Sequence, residues 1–444
     1  MNTEADVYVA YRIASIRSWL MAYWRRILAS DFVRKVAETF ATRVLLIGIG
    51  LITSVIVARI LGPEGRGLYA VATAIAAVGV QFGNLGLHAS NTYYVAKDRS
   101  LLSALVGNSL VVSFAFGGGG AFAAWIVFSV WPDLSPVNGF LLIIALVWVP
   151  FGLAYMLLQN LLLGLQEVRA YNKIELLQKI LFVCITICIF VGGQIRVETI
   201  LSINLFILVI SFAVVLWAIR KYFLEFPVPS LTLFRNNLNF GVKAYLSALI
   251  AFLVFKADLF LINHYLGAKD VGLYAVAVNV ANMVNLLPDT VGAIFFPKLC
   301  GMKDLNSRFK FAKKITIIIA IIMLFIAMMA IAVSGVLITA FFGTAYADAA
   351  IPFKWLMPGF FFLSVEITLR RFLISDGYRI EVVLSWCITF VVNIALNVFL
   401  IPIMGTKGAA LALSISLALL ATLTLFLVWR FVSHKKGALP VVGR

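Results

Sequence analysis

Apolar stretches long enough to cross a bilayer recur along the whole chain, at 37–61, 68–90, 102–130, 139–164, 174–193, 198–219, 237–266, 271–297, 311–342, 350–373, 380–403 and 408–432. Hydrocarbon offers backbone amides no partners, so each segment must satisfy its own hydrogen bonds as a helix or pair within a closed barrel. No ten-residue alternation typical of a barrel strand recurs, which leaves twelve transmembrane helices. With 63% hydrophobic and 12% charged residues, a water-soluble globular protein is excluded. At about 20 residues per crossing, the spans leave little of the 444 residues for a soluble domain.

The net charge of +17 reports orientation before it reports a nucleic-acid partner, and none is expected. With the N-terminus in the cytoplasm, 27 Lys and Arg fall in inside segments. Only Arg66, Arg196, Lys269 and Lys407 fall in outside turns. That asymmetry puts both termini inside and agrees with an even number of spans. Residues 7–28 mix Ile13, Trp19 and Trp24 with Arg12, Arg17, Arg25 and Arg26, which predicts a helix on the cytoplasmic surface within a tail of residues 1–36. Residues 434–444 form the other cytoplasmic tail.

Two turns share a motif. Leu61-Gly62-Pro63-Glu64-Gly65-Arg66-Gly67-Leu68-Tyr69-Ala70-Val71-Ala72 agrees at eight of twelve positions with Leu266 to Ala277, at a constant offset of 205 residues. A six-helix unit used twice follows, with an N-lobe over 37–220, a linker over 221–236 and a C-lobe over 237–433. Both units start from the cytoplasm, so the repeat is parallel and its axis runs along the membrane normal. Transporters built this way hold substrate between their halves.

Polar groups in mid-span face a protein interior or a watery cavity, because ionised side chains are costly in hydrocarbon. The seventh span carries Lys256, Asp258, Asn263 and His264, whereas the ninth carries no charge from Ile315 to Phe342 and can face lipid. Lys256 and Asp258, two residues apart on a helix, point to nearly opposite sides and cannot neutralise each other directly. Asn279, Asn282, Asn285 and Asp289 share one face of the eighth span, and Gln81, Asn84 and His88 share one face of the second. The offset pairs Asn84 with Asp289 and Arg59 with His264. Two such stripes are expected to wall a central cavity, the alternative being hydrogen bonds that only hold the bundle. Glu366 and Arg370, at i and i+4, form a gate or a local ion pair.

Other features carry less. Cys184, Cys188, Cys300 and Cys387 lie in or beside apolar segments, and His88, His264 and His434 are far apart, so neither a disulfide framework nor a metal site is indicated. The glycines of residues 62–67 lack the strand and Gly-Lys-Ser/Thr of a phosphate loop, and Gly117 to Gly120 serve packing or bending of the third span. No catalytic motif or cofactor motif is present and the outer loops are short, so an enzyme is not expected.

The segments Ala58 to Tyr69, Phe255-Lys256-Ala257-Asp258, Tyr265-Leu266-Gly267 and Gly272-Leu273-Tyr274 resemble the polysaccharide-transport branch of the multidrug/oligosaccharidyl-lipid/polysaccharide flippase superfamily. The resemblance implies an all-α bundle of twelve helices in two lobes that alternates between inward-open and outward-open states in the bacterial inner membrane. It implies as cargo an undecaprenyl-pyrophosphate-linked oligosaccharide for O-antigen, capsule or exopolysaccharide. Membrane lipids, polysaccharide polymerase and glycosyltransferases are its implied partners, with Na+ or H+ as the coupling ion. On that footing Arg59, Lys256 and His264 attract the pyrophosphate, while Gln81, Asn84, His88, Asn282 and Asn285 bind sugar hydroxyls. Asp258 and Asp289 serve ion coupling. Lys256 stands where the family often has arginine, which keeps charge but gives up bidentate geometry. A drug/cation antiporter of the same superfamily would need an acidic cavity, and a membrane glycosyltransferase or polymerase would need a substantial catalytic loop.

Overall fold

The computed structural model describes residues 31–137, 139–193, 196–223, 225–377 and 379–437. The expected surface helix over 7–28 lies outside them. All regular structure among the described residues is helical. In chain order the long helices are α1 (Asp31–Asn84), α2 (Leu87–Lys97), α3 (Leu102–Val111), α4 (Gly118–Val130), α5 (Phe140–Gly164), α6 (Val168–Val191) and α7 (Val197–Arg220). They continue with α8 (Leu231–Leu266), α9 (Ala268–Val284), α10 (Leu286–Gly301), α11 (Leu305–Phe342), α12 (Ala350–Ile374), α13 (Ile380–Met404) and α14 (Thr406–Gly437).

Among the described residues, eleven segments are long and apolar enough to span a membrane, the first being the 40 residues Leu45–Asn84. That stretch bends at Gly62, whose φ of 65° and ψ of 178° are non-helical. At 1.5 Å per residue it would measure about 60 Å, twice the roughly 30 Å hydrocarbon core, so it makes two crossings and the total is twelve. Gly267, the repeat partner of Gly62, has φ 92° and ψ 178° between α8 and α9. One unusual backbone conformation thus occurs twice at the offset read from the sequence.

The two lobes meet through these turns. A Cβ on Gly67 would lie 1.7 Å from the Ala268 carbonyl oxygen, and one on Gly272 would lie 1.8 Å from that of Pro63. Gly272 is Gly67 shifted by 205, and Ala268 is Pro63 shifted likewise, so the contact maps onto itself as a two-fold interface requires. Lipid tails are as apolar as leucine, and such close approach of small residues is what holds membrane helices together. Within the C-lobe, Gly359 of α12 packs in the same way on Ser414 of α14 and donates its N–H to the serine Oγ at 3.1 Å. The uncharged stretch of α11 from Ile315 to Phe342 turns Ile321, Phe325 and Val336 outward, as expected of a lipid-facing span.

At the other end of the bundle the second crossing breaks. Leu85 (φ 49°) and Gly86 (φ 79°) are left-handed between α1 and α2. The break leaves the carbonyls of Gln81 and Phe82 without helical partners, and Tyr245 of α8 donates its hydroxyl to them at 3.2 and 2.9 Å. The interlobe linker lies along α3: Asn108 donates to the Ser230 carbonyl at 3.0 Å and accepts from its N–H at 2.8 Å.

Candidate functional site

Lys256 and Asp258 leave α8 on different sides. Asp258 is fully buried inside the C-lobe, accepting from the Tyr274 hydroxyl at 2.6 Å and from Asn397 Nδ2 at 2.8 Å. Asn393, one turn before Asn397 on α13, sits beside the carboxylate, outside hydrogen-bond geometry. Both of its amide atoms, and Asn397 Oδ1, lack hydrogen-bond partners. A buried carboxylate with two free amide oxygens beside it forms an oxygen-rich nest inside the C-lobe.

Lys256 is half-buried, with its ammonium 5.9 Å from the centre of the Phe252 ring and no hydrogen bond or ion pair among the described residues. Arg66 is close enough to repel it. Arg66, expected in an exposed outside turn, is only 7% exposed. Its guanidinium lies 5.5 Å from the centre of the Tyr69 ring, and its Nε has no hydrogen-bond partner. Two cations, Arg66 from the N-lobe and Lys256 from the C-lobe, therefore share the interlobe seam near the two-fold contact. Sequence reasoning missed Arg66 because a turn arginine ordinarily stays in water; the opposite lobe is what covers it.

The remaining expected site residues are scattered. Arg59 is exposed and donates to the Phe341 and Ala340 carbonyls at 2.8 and 2.9 Å, capping the C-terminal end of α11 across the seam. His264 is exposed, edge-on to the neighbouring Tyr265. Asn84 is buried and bonded to His88 Nδ1 one turn on, at 2.8 Å from its Nδ2 and 3.0 Å from its Oδ1. Gln81 is half-buried and contributes its backbone carbonyl to Tyr245. Asn282 is exposed, whereas Asn285 is buried with its Oδ1 unpartnered. No hydrogen bond among the described residues joins the two polar stripes; Asn279 instead donates to Ser54 Oγ at 3.3 Å across the seam.

Glu366 is buried and accepts from Arg370 Nε at 2.8 Å, leaving its Oε2 without a partner. Arg371, stacked near the Phe296 ring at 5.6 Å, and the exposed Asp289 of α10 lie within electrostatic range of it. Asp289, Glu366, Arg370 and Arg371 thus form a balanced charge cluster between α10 and α12, apart from the Asp258 nest. Sequence reasoning missed Asn393, Asn397 and Tyr274 as partners of Asp258; the signals for them were two amides one turn apart in an apolar span and the place of Tyr274 in the repeated motif.

The chain has the fold of the multidrug/oligosaccharidyl-lipid/polysaccharide transporters. It superposes on an inward-facing multidrug resistance MATE family transporter with a TM-score of 0.72 at 14% identity, covering 88% of this chain and 95% of that one. On the lipid II flippase MurJ in an inward closed conformation the TM-score is 0.70 at 14% identity, covering 88% of this chain and 87% of that one. At these identities the likeness is one of fold. In sequence it is 25% identical over 201 residues to the "Putative O-antigen transporter" of Shigella flexneri, 45% of this chain and 48% of that protein, so the match spans about half the length of the relative. The family model described as "Polysaccharide biosynthesis protein" matches residues 32–299, more than half of the sequence, and the chain belongs to that family of membrane proteins.

Proposed function

We propose that the protein is a flippase that carries an undecaprenyl-pyrophosphate-linked oligosaccharide from the inner to the outer leaflet of the bacterial inner membrane. Both termini are cytoplasmic, and the substrate passes between the lobes. The observation that carries this reading is the polarity of the seam. Arg66 and Lys256 present uncompensated positive charge there, while Asp258, two residues from Lys256, is turned away and sealed in the C-lobe. A drug/cation antiporter calls for the reverse, a carboxylate facing the cleft. Buried cations without carboxylate partners suit a doubly charged phosphate ester, with hydrogen bonds strengthened by charge on both sides. The orphan Nε of Arg66 gives one such donor.

The C-lobe nest supplies the coupling. Asp258 with the amide oxygens of Asn393 and Asn397 offers hard oxygen donors of the kind that take an alkali cation, and the carboxylate alone takes a proton. Binding there biases α8 and α13, and α8 also carries Lys256 to the seam, so ion and substrate act on one helix. The free energy available to shift the lobes is the difference in ion affinity between the two states.

Deletion of the gene in a bacterium that uses it should accumulate lipid-linked repeat units on the cytoplasmic leaflet, reversed by the intact gene. The double variant Arg66→Gln/Lys256→Gln should reach the membrane at normal levels and fail to restore surface polysaccharide. Full restoration by that variant would overturn the assignment of the seam cations.

A further inference from the structure

We propose that a lateral apolar cavity, where α1 meets α4, α5 and α8, holds the single isoprenoid chain of the lipid substrate while its phosphate head stays at the seam. This inference rests on the function proposed above. The cavity measures about 460 Å³ and is lined by apolar side chains and glycines, all from the spans apart from Leu85 at the break after α1 and Pro136 in the turn before α5. A lining with so few polar groups gives water little to bond to and stays dry, so its occupant is itself hydrocarbon. If a methylene group takes about the volume of a liquid water, some 30 Å³, the space holds roughly 15 carbon atoms. That is a segment of one chain, about three isoprene units, whereas a bilayer phospholipid brings two chains.

Three features tie the cavity to the seam. Its wall includes Phe260, contributed by the C-lobe to a space otherwise built by the N-lobe. Phe260 is one turn beyond Lys256 on the same face of α8, so a chain lying on Phe260 brings its head to the unpaired ammonium. The third span runs as a π-helix over Val112–Gly117 beside the cavity and gives Phe116 and Gly117 to its wall. Such insertions mark functional sites more often than regular helix does.

The glycines have separate roles. A Cβ on Gly79 would lie 2.7 Å from Val149 and one on Gly83 2.6 Å from Leu153, so these two let α1 and α5 close the floor. Gly120 lines the cavity, and a Cβ there would meet nothing within 4 Å. Gly119 is equally unobstructed but does not line the cavity. The Cβ of Gly120→Leu therefore enters the space without a clash, and Gly119→Leu is its control.

The test uses the full chain in lipid nanodiscs, photolabelled with diazirine-bearing geranylgeranyl phosphate or with a diazirine-bearing phosphatidylglycerol, and mapped by mass spectrometry. The prenyl probe should label residues 75–85 and 116–128. Labelling should fall about tenfold in Gly120→Leu, as expected when an occupied space is overfilled by about 1.4 kcal/mol, and hold in Gly119→Leu. Undiminished labelling in Gly120→Leu, or equal labelling of these segments by phosphatidylglycerol, overturns the assignment. A parent chain that restores surface polysaccharide but takes no prenyl label there refutes the cavity alone. One that takes the label without restoring polysaccharide refutes the flippase reading instead.

Discussion

The first crossing of each lobe ends in the same motif, yet the two crossings carry different chemistry. At the positions of Lys256 and Asp258 in the C-lobe, the N-lobe has Leu51 and Thr53. The paired tyrosines show the consequence. Tyr274 donates a hydrogen bond from its hydroxyl to the Asp258 carboxylate at 2.6 Å, while Tyr69 accepts from the neutral amide of Asn204 at 2.9 Å. Thr53 turns its hydroxyl back to the Ile49 carbonyl within its own helix. The repeat thus keeps its backbone scaffold in both halves and places a buried carboxylate in only one of this pair of equivalent helices. On the function proposed above, the symmetric frame serves rocking of the lobes about a shared seam, and the asymmetric charge serves ion coupling in one lobe.

That contrast is open to direct attack. Gly67→Leu and Gly272→Leu each drive a side chain into backbone that cannot move aside, and each should cost about 3 kcal/mol or more. Equal loss of membrane-inserted protein and of melting temperature in detergent is expected. Tolerance of one but not the other would show that the seam is not truly two-fold. Asp258→Ala should come next. It leaves the Tyr274 hydroxyl and the Asn397 amide without their acceptor in a dry interior, at about 2–3 kcal/mol, and abolishes surface polysaccharide. Thr53→Ala should leave both stability and transport intact.

The tyrosines give a finer comparison. Tyr274→Phe removes a hydrogen bond to a carboxylate and should lower stability by about 2 kcal/mol, against about 1 kcal/mol for Tyr69→Phe, whose partner is neutral. Paired melting curves in one detergent test the ranking, and an inverted order would mean that the Asp258 nest adds nothing to the stability of its lobe. Arg59→Ala should have a smaller effect than either. It removes an exposed cap from the end of α11, where solvent screens the charge, and should shift stability by under about 1 kcal/mol. A large loss would instead place Arg59 among the groups that hold the lobes together.

Hydropathy, charge asymmetry and an offset of 205 residues were enough to establish helices, twelve crossings and a doubled six-helix unit, because a bilayer leaves the backbone no other choice and a repeat preserves its turns. Sequence also told that Lys256 and Asp258 diverge, since helical geometry separates residues two apart. It did not tell where each ends up. Only the packed lobes decided that Asp258 meets Tyr274 and Asn397, that Arg66 is covered and left short of a partner, and that Arg59 caps a helix of the other lobe. Those outcomes depend on contacts between residues as much as 282 positions apart, and a local pattern along one helix holds no information about which neighbour will arrive opposite it.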